Sequence, residues 1–304
     1  SIGGPPLWGG GAPAFLALFD AARPTVLVTA SDACFWGSSA TLEASRRGIP
    51  SVALQHGMMV GSSAYVPVVS SRFAAWGDAS ARWLEARGVA PEKLVVTGAP
   101  RLDQIVNRSF PPRGTVAAKL EIDPALRWIV LATNPIAFAR NAALLATARE
   151  GMRTWGERAV LVAKLHPSED PGPYRAAAAG DPGIVIVPHG AIALYDLLSH
   201  ADAVLTYHSS VGVEAMLLDR PVVSLESFGE ENPLPYAREG AAAAARTAGE
   251  LAGVLRREVA PGRDADARRE RRARFVRDNL LAADGKSAER VAELIRGLAS
   301  GGAS

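Results

Sequence analysis

The sequence predicts an α/β protein in two parts, each a parallel sheet flanked by helices. Three observations predict it. Short apolar runs alternate with amphipathic stretches along most of the 304 residues, the pattern of repeated βα units. A stretch with two prolines and a glycine, Arg108 to Gly114 (RSFPPRG), divides the alternation into two sets and has the composition of an interdomain linker. Polar residues cluster directly after the apolar runs, at the carboxyl ends of the predicted strands, where open parallel sheets bind ligands.

In the first set, Thr25–Thr29 reads as a buried strand and Ser39–Arg47 as a helix. Ser51–Leu54 and Arg72–Trp76 are strands, Asp78–Arg87 is a helix capped by Gly77 or Asp78 and stopped at Gly88, and Leu94–Thr97 is a strand. The second set opens with strand Trp128–Ala132 and helix Ala139–Gly151. Strands Ala159–Leu165 and Ile184–Val187, helix Ala191–Ser199, strand Ala203–Thr206, helix Ser210–Leu218 and strand Val222–Leu225 follow. Gly240–Ala245 (GAAAAA) is helical by propensity, yet its place before the capped helix Thr247–Arg257 fits a short buried strand equally well. Arg263–Leu298 reads as two charged helices separated by Asp284-Gly285, with Arg268–Arg274 a solvated face.

Composition narrows the function. The chain is 48% hydrophobic and 21% charged, ordinary for a folded soluble protein. Its 33 Lys and Arg face 31 Asp and Glu, a net charge of +2, so no global basic field argues for nucleic acid. The single cysteine, Cys34, excludes an internal disulfide, disfavours a zinc cluster and fits a reducing cytoplasm. No apolar run approaches the ~20 residues that span a bilayer. The opening Ser1-Ile2-Gly3-Gly4 has no initiator Met and no signal-like core, and reads as a chain that begins partway through a larger protein. No GxxxxGK[ST], strand-linked GxGxxG, GxSxG or HExxH occurs, which sets aside P-loop kinases, standard dehydrogenases, serine hydrolases and that class of zinc enzyme.

The candidate chemistry lies at strand ends. Gln55-His56-Gly57 follows Ser51–Leu54; His56 suits a general base or a hydrogen-bond donor to phosphate, and equally a strand-end cap. Lys164-Leu165-His166-Pro167 closes another strand, with alternation putting Lys164 and His166 on one side, and a cation beside an imidazole suits a leaving diphosphate. Thr133-Asn134-Pro135 is a further turn that faces an anion or serves only as a turn. In LTYHSSVGVEAMLLDRPVV (Leu205 to Val223), a strand runs into Tyr207-His208-Ser209-Ser210 and then a helix. The Ser209 and Ser210 hydroxyls, free backbone N–H groups and the positive helix end suit a phosphate. Glu214, about one turn deeper, is positioned for sugar hydroxyls. Phosphate plus ribose suggests a nucleotide diphosphate. Asp32, past the first strand, is a candidate base or acceptor-side carboxylate. His189-Gly190 is placed to face a nucleobase through backbone groups, and His200 reads as a helix-end histidine.

With QHG, VTGAPRLD (Val96–Asp103), KLHP and YHSSVGVEAMLLDRPVV in that order, the chain resembles GT-B-type glycosyltransferases of the bacterial capsule and surface-polysaccharide group. That group is related to CDP-glycerol glycerophosphotransferases and to UDP-N-acetylglucosamine 2-epimerases. The resemblance covers roughly Pro24 to Leu255. It implies two Rossmann-like domains facing across a cleft, with the nucleotide donor mainly on the second. It places an acceptor-side domain at residues 1–110, a donor-binding domain at 111–282, and a C-terminal helix and tail at 283–304. By motif, His166 contacts the donor phosphates, Ser209 and Ser210 the diphosphate, and Glu214 the ribose, while Lys164, Asn134 and His189 complete the donor side. His56, with Asp32, serves catalysis or the acceptor.

The activity implied is metal-independent transfer of a sugar from a nucleotide donor to a surface-polysaccharide or glycolipid acceptor. No cofactor is expected, since the nucleotide sugar is a substrate, and no nucleic acid. The location implied is cytoplasmic, with room for peripheral association at the inner face of the membrane. Three alternatives stay open: an epimerase, a glycerophosphotransferase, and a non-catalytic nucleotide-sugar-binding subunit. Where epimerases carry Asp-Ser-Gly-Gly and HRxEN, this chain has Tyr207-His208-Ser209-Ser210 and Thr133-Asn134-Pro135. Teichoic-acid polymerases usually have Asp where Glu214 stands, which favours a sugar nucleotide. Several βα units normally precede the strand matching Thr25–Thr29, so the first domain is expected to be incomplete.

Overall fold

The apolar runs become parallel strands in a computed structural model that describes residues 11–229, 232–281 and 283–301. The first elements are α1 (Gly11–Ala22), β1 (Leu27–Thr29), α2 (Phe35–Arg46), β2 (Ser51–Leu54), β3 (Arg72–Ala75), α3 (Asp78–Glu85), β4 (Leu94–Val96) and α4 (Asp103–Val106). Then come α5 (Arg113–Leu120), β5 (Arg127–Ala132), α6 (Phe138–Trp155), β6 (Ala159–Lys164), α7 (Pro171–Ala178), β7 (Ile184–Val187), α8 (Leu194–Leu198), β8 (Ala203–Thr206), α9 (Val211–Leu217) and β9 (Val222–Leu225). The chain closes with β10 (Ala243–Ala245), α10 (Ala248–Glu258), α11 (Arg263–Leu280) and α12 (Ser287–Gly301). Two compact units result: Ser1–Val106 with Arg277–Ser304, and Asn107–Val276. Of these residues, 1–10 and 302–304 lie outside the described ones.

In the first unit, the described strands form a parallel sheet in the order β1-β2-β3-β4. One face packs Ala53, Phe73 and Ala75 against Met59, Tyr65, Val68 and Leu84. The other packs Val52 and Ala74 against Val291, with Leu294, Ile295 and Leu298 of α12 beside them. Helix α12, expected with the tail at 283–304 as a separate segment, therefore supplies a face of this core through Val291, Leu294, Ile295 and Leu298. VTGAPRLD explains why. Asp103 accepts from the Ser287 and Ala288 N–H groups at 3.1 and 2.7 Å, capping α12 from a distant part of the chain. Arg290 Nη1 donates to the Thr97 carbonyl at 3.4 Å.

In the second unit, the described strands order as β10-β9-β8-β5-β6-β7, all parallel. Central β5 and β8 are buried almost along their whole length, which is why they read as continuous apolar runs. Helix α6 turns Leu144, Leu145, Ala148, Met152 and Trp155 inward at helical spacing and stops at Gly156, in the left-handed region (φ 79). A Cβ on Gly151 would stand 2.7 Å from Leu251 Cδ2, so only glycine allows α6 to lie this close to α10. Thr247 caps α10 by accepting from Glu250 N at 3.2 Å.

Several expectations change. The RSFPPRG stretch is not a loose linker: the unit boundary falls at Val106/Asn107, Arg108 pairs with Asp196, and Arg113, already in α5, bonds the carbonyls of His200 and Leu126. The alanine run forms β10, because pairing with β9 outweighs helix propensity. Within Arg268–Arg274, Arg272 is only 6% exposed and pairs with Asp219, so that face is not uniformly solvated.

Candidate functional site

The order of the second sheet creates the site. From β5 the chain steps outward through β6 to β7, then returns to the other flank of β5 and steps outward through β8, β9 and β10. Between β5 and β8 the connections leave in opposite directions, the switch point at which such sheets open a crevice. A pocket of about 460 Å³ lies there, walled by the ends of β5 (Ala132, Thr133), β6 (Lys164 to Pro167) and the segments after β7 and β8. The sequence-predicted residues Lys164, His166, His189 and Ser209 are brought together in its wall.

Lys164 is the electrostatic centre. It is 7% exposed, its ammonium donates to the Pro188 carbonyl at 2.9 Å, and it has no carboxylate partner among the described residues. Burial lowers its pKa below the ordinary 10.5. A buried, unpaired cation in a pocket wall is a costly arrangement that an anionic ligand relieves.

The His166 turn is fastened from behind by Glu169, which sequence reasoning missed. Glu169 Oε2 accepts from the Thr133 hydroxyl and from His166 N at 3.1 Å. Oε1 accepts from Asn141 Nδ2 at 2.6 Å and from the Tyr174 hydroxyl. Burial and the neighbouring carboxylate raise the Tyr174 pKa. One carboxylate thus joins the end of β5, helix α6, the KLHP turn and helix α7. Its only local signal is a turn, with Glu169 N donating to the His166 carbonyl at 3.0 Å.

The remaining donor-side candidates stand outside the pocket wall. Asn134 is buried, its carbonyl accepting from Asn141 Nδ2 at 2.9 Å. Ser210 is the N-cap position of α9 without a side-chain cap bond. Glu214 is 2% exposed inside α9. Ser209 is held in place by Tyr236, whose hydroxyl donates to the Ser209 carbonyl at 3.0 Å while its ring occupies the space beside Gly212.

The first unit holds the other two candidates. His56 is exposed, its ring stacked on Tyr65 at 4.8 Å with Nδ1 3.1 Å from the Ala30 carbonyl. Its neighbour Gln55 ties β2 to β3, accepting from Trp76 N at 2.7 Å. Tyr65 donates to the Gly57 carbonyl at 3.1 Å, and burial pushes its pKa up to about 12. Asp32, expected as a base, is 1% exposed and accepts from Val69 N and Ser70 N at 2.9 and 2.7 Å. Its carboxylate anchors the loop leading into β3.

Two units of parallel sheet flanked by helices, one with a pocket at its switch point, define a GT-B-like protein. Solved structures share this fold. The UDP-GlcNAc 2-epimerase of Neisseria meningitidis, bound to UDP-GlcNAc, matches with a TM-score of 0.68 at 14% identity, over 94% of this chain and 80% of its own. The Methanocaldococcus jannaschii UDP-GlcNAc 2-epimerase, in complex with UDP-GlcNAc and UDP, matches with a TM-score of 0.68 at 14% identity, over 94% and 79%. The wall teichoic acid polymerase TagF matches with a TM-score of 0.56 at 16% identity, over 83% and 68%. No curated protein sequence matches. The chain belongs to the CDP-Glycerol:Poly(glycerophosphate) glycerophosphotransferase family, whose model matches residues 74–297, and is thereby placed among nucleotide-linked transferases.

Proposed function

We propose that the chain moves a sugar from a nucleotide-diphosphate donor to a hydroxyl of a surface-polysaccharide or glycolipid acceptor. The observation that carries the donor half is Lys164, a buried ammonium in the wall of the switch-point pocket with no carboxylate partner among the described residues. With His166 and Ser209 beside it, the wall offers positive charge and hydrogen-bond donors to a diphosphate, supplying the charge stabilisation that a metal ion supplies elsewhere. His56 of the first unit is the proposed base. As the acceptor oxygen bonds to the anomeric carbon, the bond from that carbon to the diphosphate oxygen breaks. The electron pair leaves on the nucleoside diphosphate, and the acceptor proton passes to the imidazole.

A second reading, glycerophosphate transfer, is favoured by the family match over residues 74–297. It breaks the bridge between the two phosphates and releases a nucleoside monophosphate. The two readings separate by product: with UDP-sugars or CDP-glycerol and a lipid-extract acceptor, chromatography finds a nucleoside diphosphate for the first and CMP for the second. A thermal-shift screen with CMP, CDP, UDP and GDP tests the shared premise, since a ligand that binds the fold raises its melting temperature. No shift with any of them removes both readings. The proposed location is the cytoplasm, with the acceptor at the inner membrane face; no helix among the described residues is long and apolar enough to cross a membrane.

A further inference from the structure

The geometry points to opposite neutral tautomers for the two strand-end histidines: His166 presents an N–H, His56 presents a lone pair, and Ser168 is the positioning residue that sets the first. His166 Nδ1 lies 3.3 Å from the backbone N of Ser168 and 2.8 Å from its hydroxyl oxygen. A backbone N–H only donates, so Nδ1 accepts and the ring proton sits on Nε2. The turn that carries this ring is fixed by Thr133 Oγ1 and Glu169, both accepting from His166 N, at 2.9 and 3.1 Å. His166 therefore offers its pocket a donor, adding to the Lys164 ammonium.

His56 is set the other way. Its Nδ1 faces the Ala30 carbonyl at 3.1 Å, and a carbonyl only accepts, so Nδ1 carries the proton and Nε2 keeps its lone pair. Stacking on Tyr65, with 20° between the planes, holds the ring at that angle. The tautomers follow from these bonds alone. The tasks they fit, holding an anion and taking a proton, rest on the transfer reading above.

Long-range ¹H–¹⁵N spectra of the uniformly labelled chain, recorded where the rings are neutral, read both tautomers directly. Single His56→Gln and His166→Gln variants assign the signals among the five histidines. The expected result is a protonated Nε2 in His166 and a protonated Nδ1 in His56. The same tautomer in both rings, a swap, or averaging in either overturns the assignment. Calorimetry with CDP and UDP as probes adds a second check. His166→Ala should weaken binding ~30-fold, and His166→Gln only ~5-fold because its amide restores an N–H donor, with circular dichroism confirming both folds. Equal losses in the two variants contradict a donor role. Tautomers as assigned, with neither probe bound and no thermal shift with CMP, CDP, UDP or GDP, keep the inference and remove the transfer reading; averaged tautomers with tight binding do the reverse.

Discussion

The carboxyl ends of β2 and β6 carry the same device, a histidine just past an apolar strand, and build different chemistry from it. At β2 the histidine is exposed, stacked on an aromatic ring and bonded to a carbonyl, while its neighbour Gln55 joins two strands. At β6 the histidine stands in a pocket wall beside a buried ammonium and is fastened by a carboxylate that collects donors from three other elements. The difference lies in second neighbours. A strand-end histidine takes its role from the groups that hold its backbone and its ring nitrogen, some two or three residues on (Ser168, Glu169) and some far along the chain (Ala30, Thr133).

The largest effect expected on that contrast comes from Lys164→Met. Affinity for CDP or UDP should fall on the order of 100-fold, the scale of a hydrogen bond between charged groups. The unliganded variant should melt no lower than wild type, because an unpaired buried charge has been replaced by an apolar chain. Burial lowers the Lys164 pKa from 10.5, so the folded state holds this proton less firmly than the unfolded one. The cost is full below the folded pKa and is relieved as pH rises through it toward 10.5. The variant's advantage in melting temperature, followed by calorimetric scans, should narrow over that alkaline window. A variant that binds nucleotide like wild type would make the β6 end no different from the β2 end.

Next comes Glu169→Ala, which leaves the buried donors of Asn141 and Tyr174 without their acceptor and should cost about 3 kcal/mol in urea denaturation. Glu169→Gln keeps one acceptor oxygen and should recover part of that. Gly212→Ala should cost about 2 kcal/mol by overpacking, since the added Cβ would stand 2.5 Å from the Tyr236 ring. Nucleotide affinity should fall with it, because Tyr236 also holds Ser209. The smallest effect is Asp32→Asn, expected at about 1 kcal/mol of stability with transfer rate unchanged. A loss of rate by orders of magnitude would assign Asp32 as a base.

Much of this was legible in the sequence. Strands β2, β7, β8 and β9 have the residues expected of them, because buried parallel strands are apolar almost throughout. Helix α7 was hidden by Pro171 and Pro173, which look like loop chemistry but fit a first turn capped by Asp170. Helix α5 was hidden similarly, since Pro112 is its cap and Arg113 its first residue. Pocket residues were found where a strand end alone specifies them, as in KLHP. Glu169 and Asp103 escaped because the partners that give them their roles, Thr133 and Asn141 for the first and the Ser287 and Ala288 N–H groups for the second, lie far along the chain. Asp32 and Glu214 are both buried, and no local pattern signals it because the packing over them is tertiary.

Calorimetric titration of CDP, UDP and GDP into wild type and Lys164→Met tests the central claim most directly. Binding at one site in wild type, weakened on the order of 100-fold in the variant, is the predicted result. Equal affinity in both proteins, or no binding to wild type, would contradict a nucleotide-diphosphate site at the ends of β5, β6 and β8.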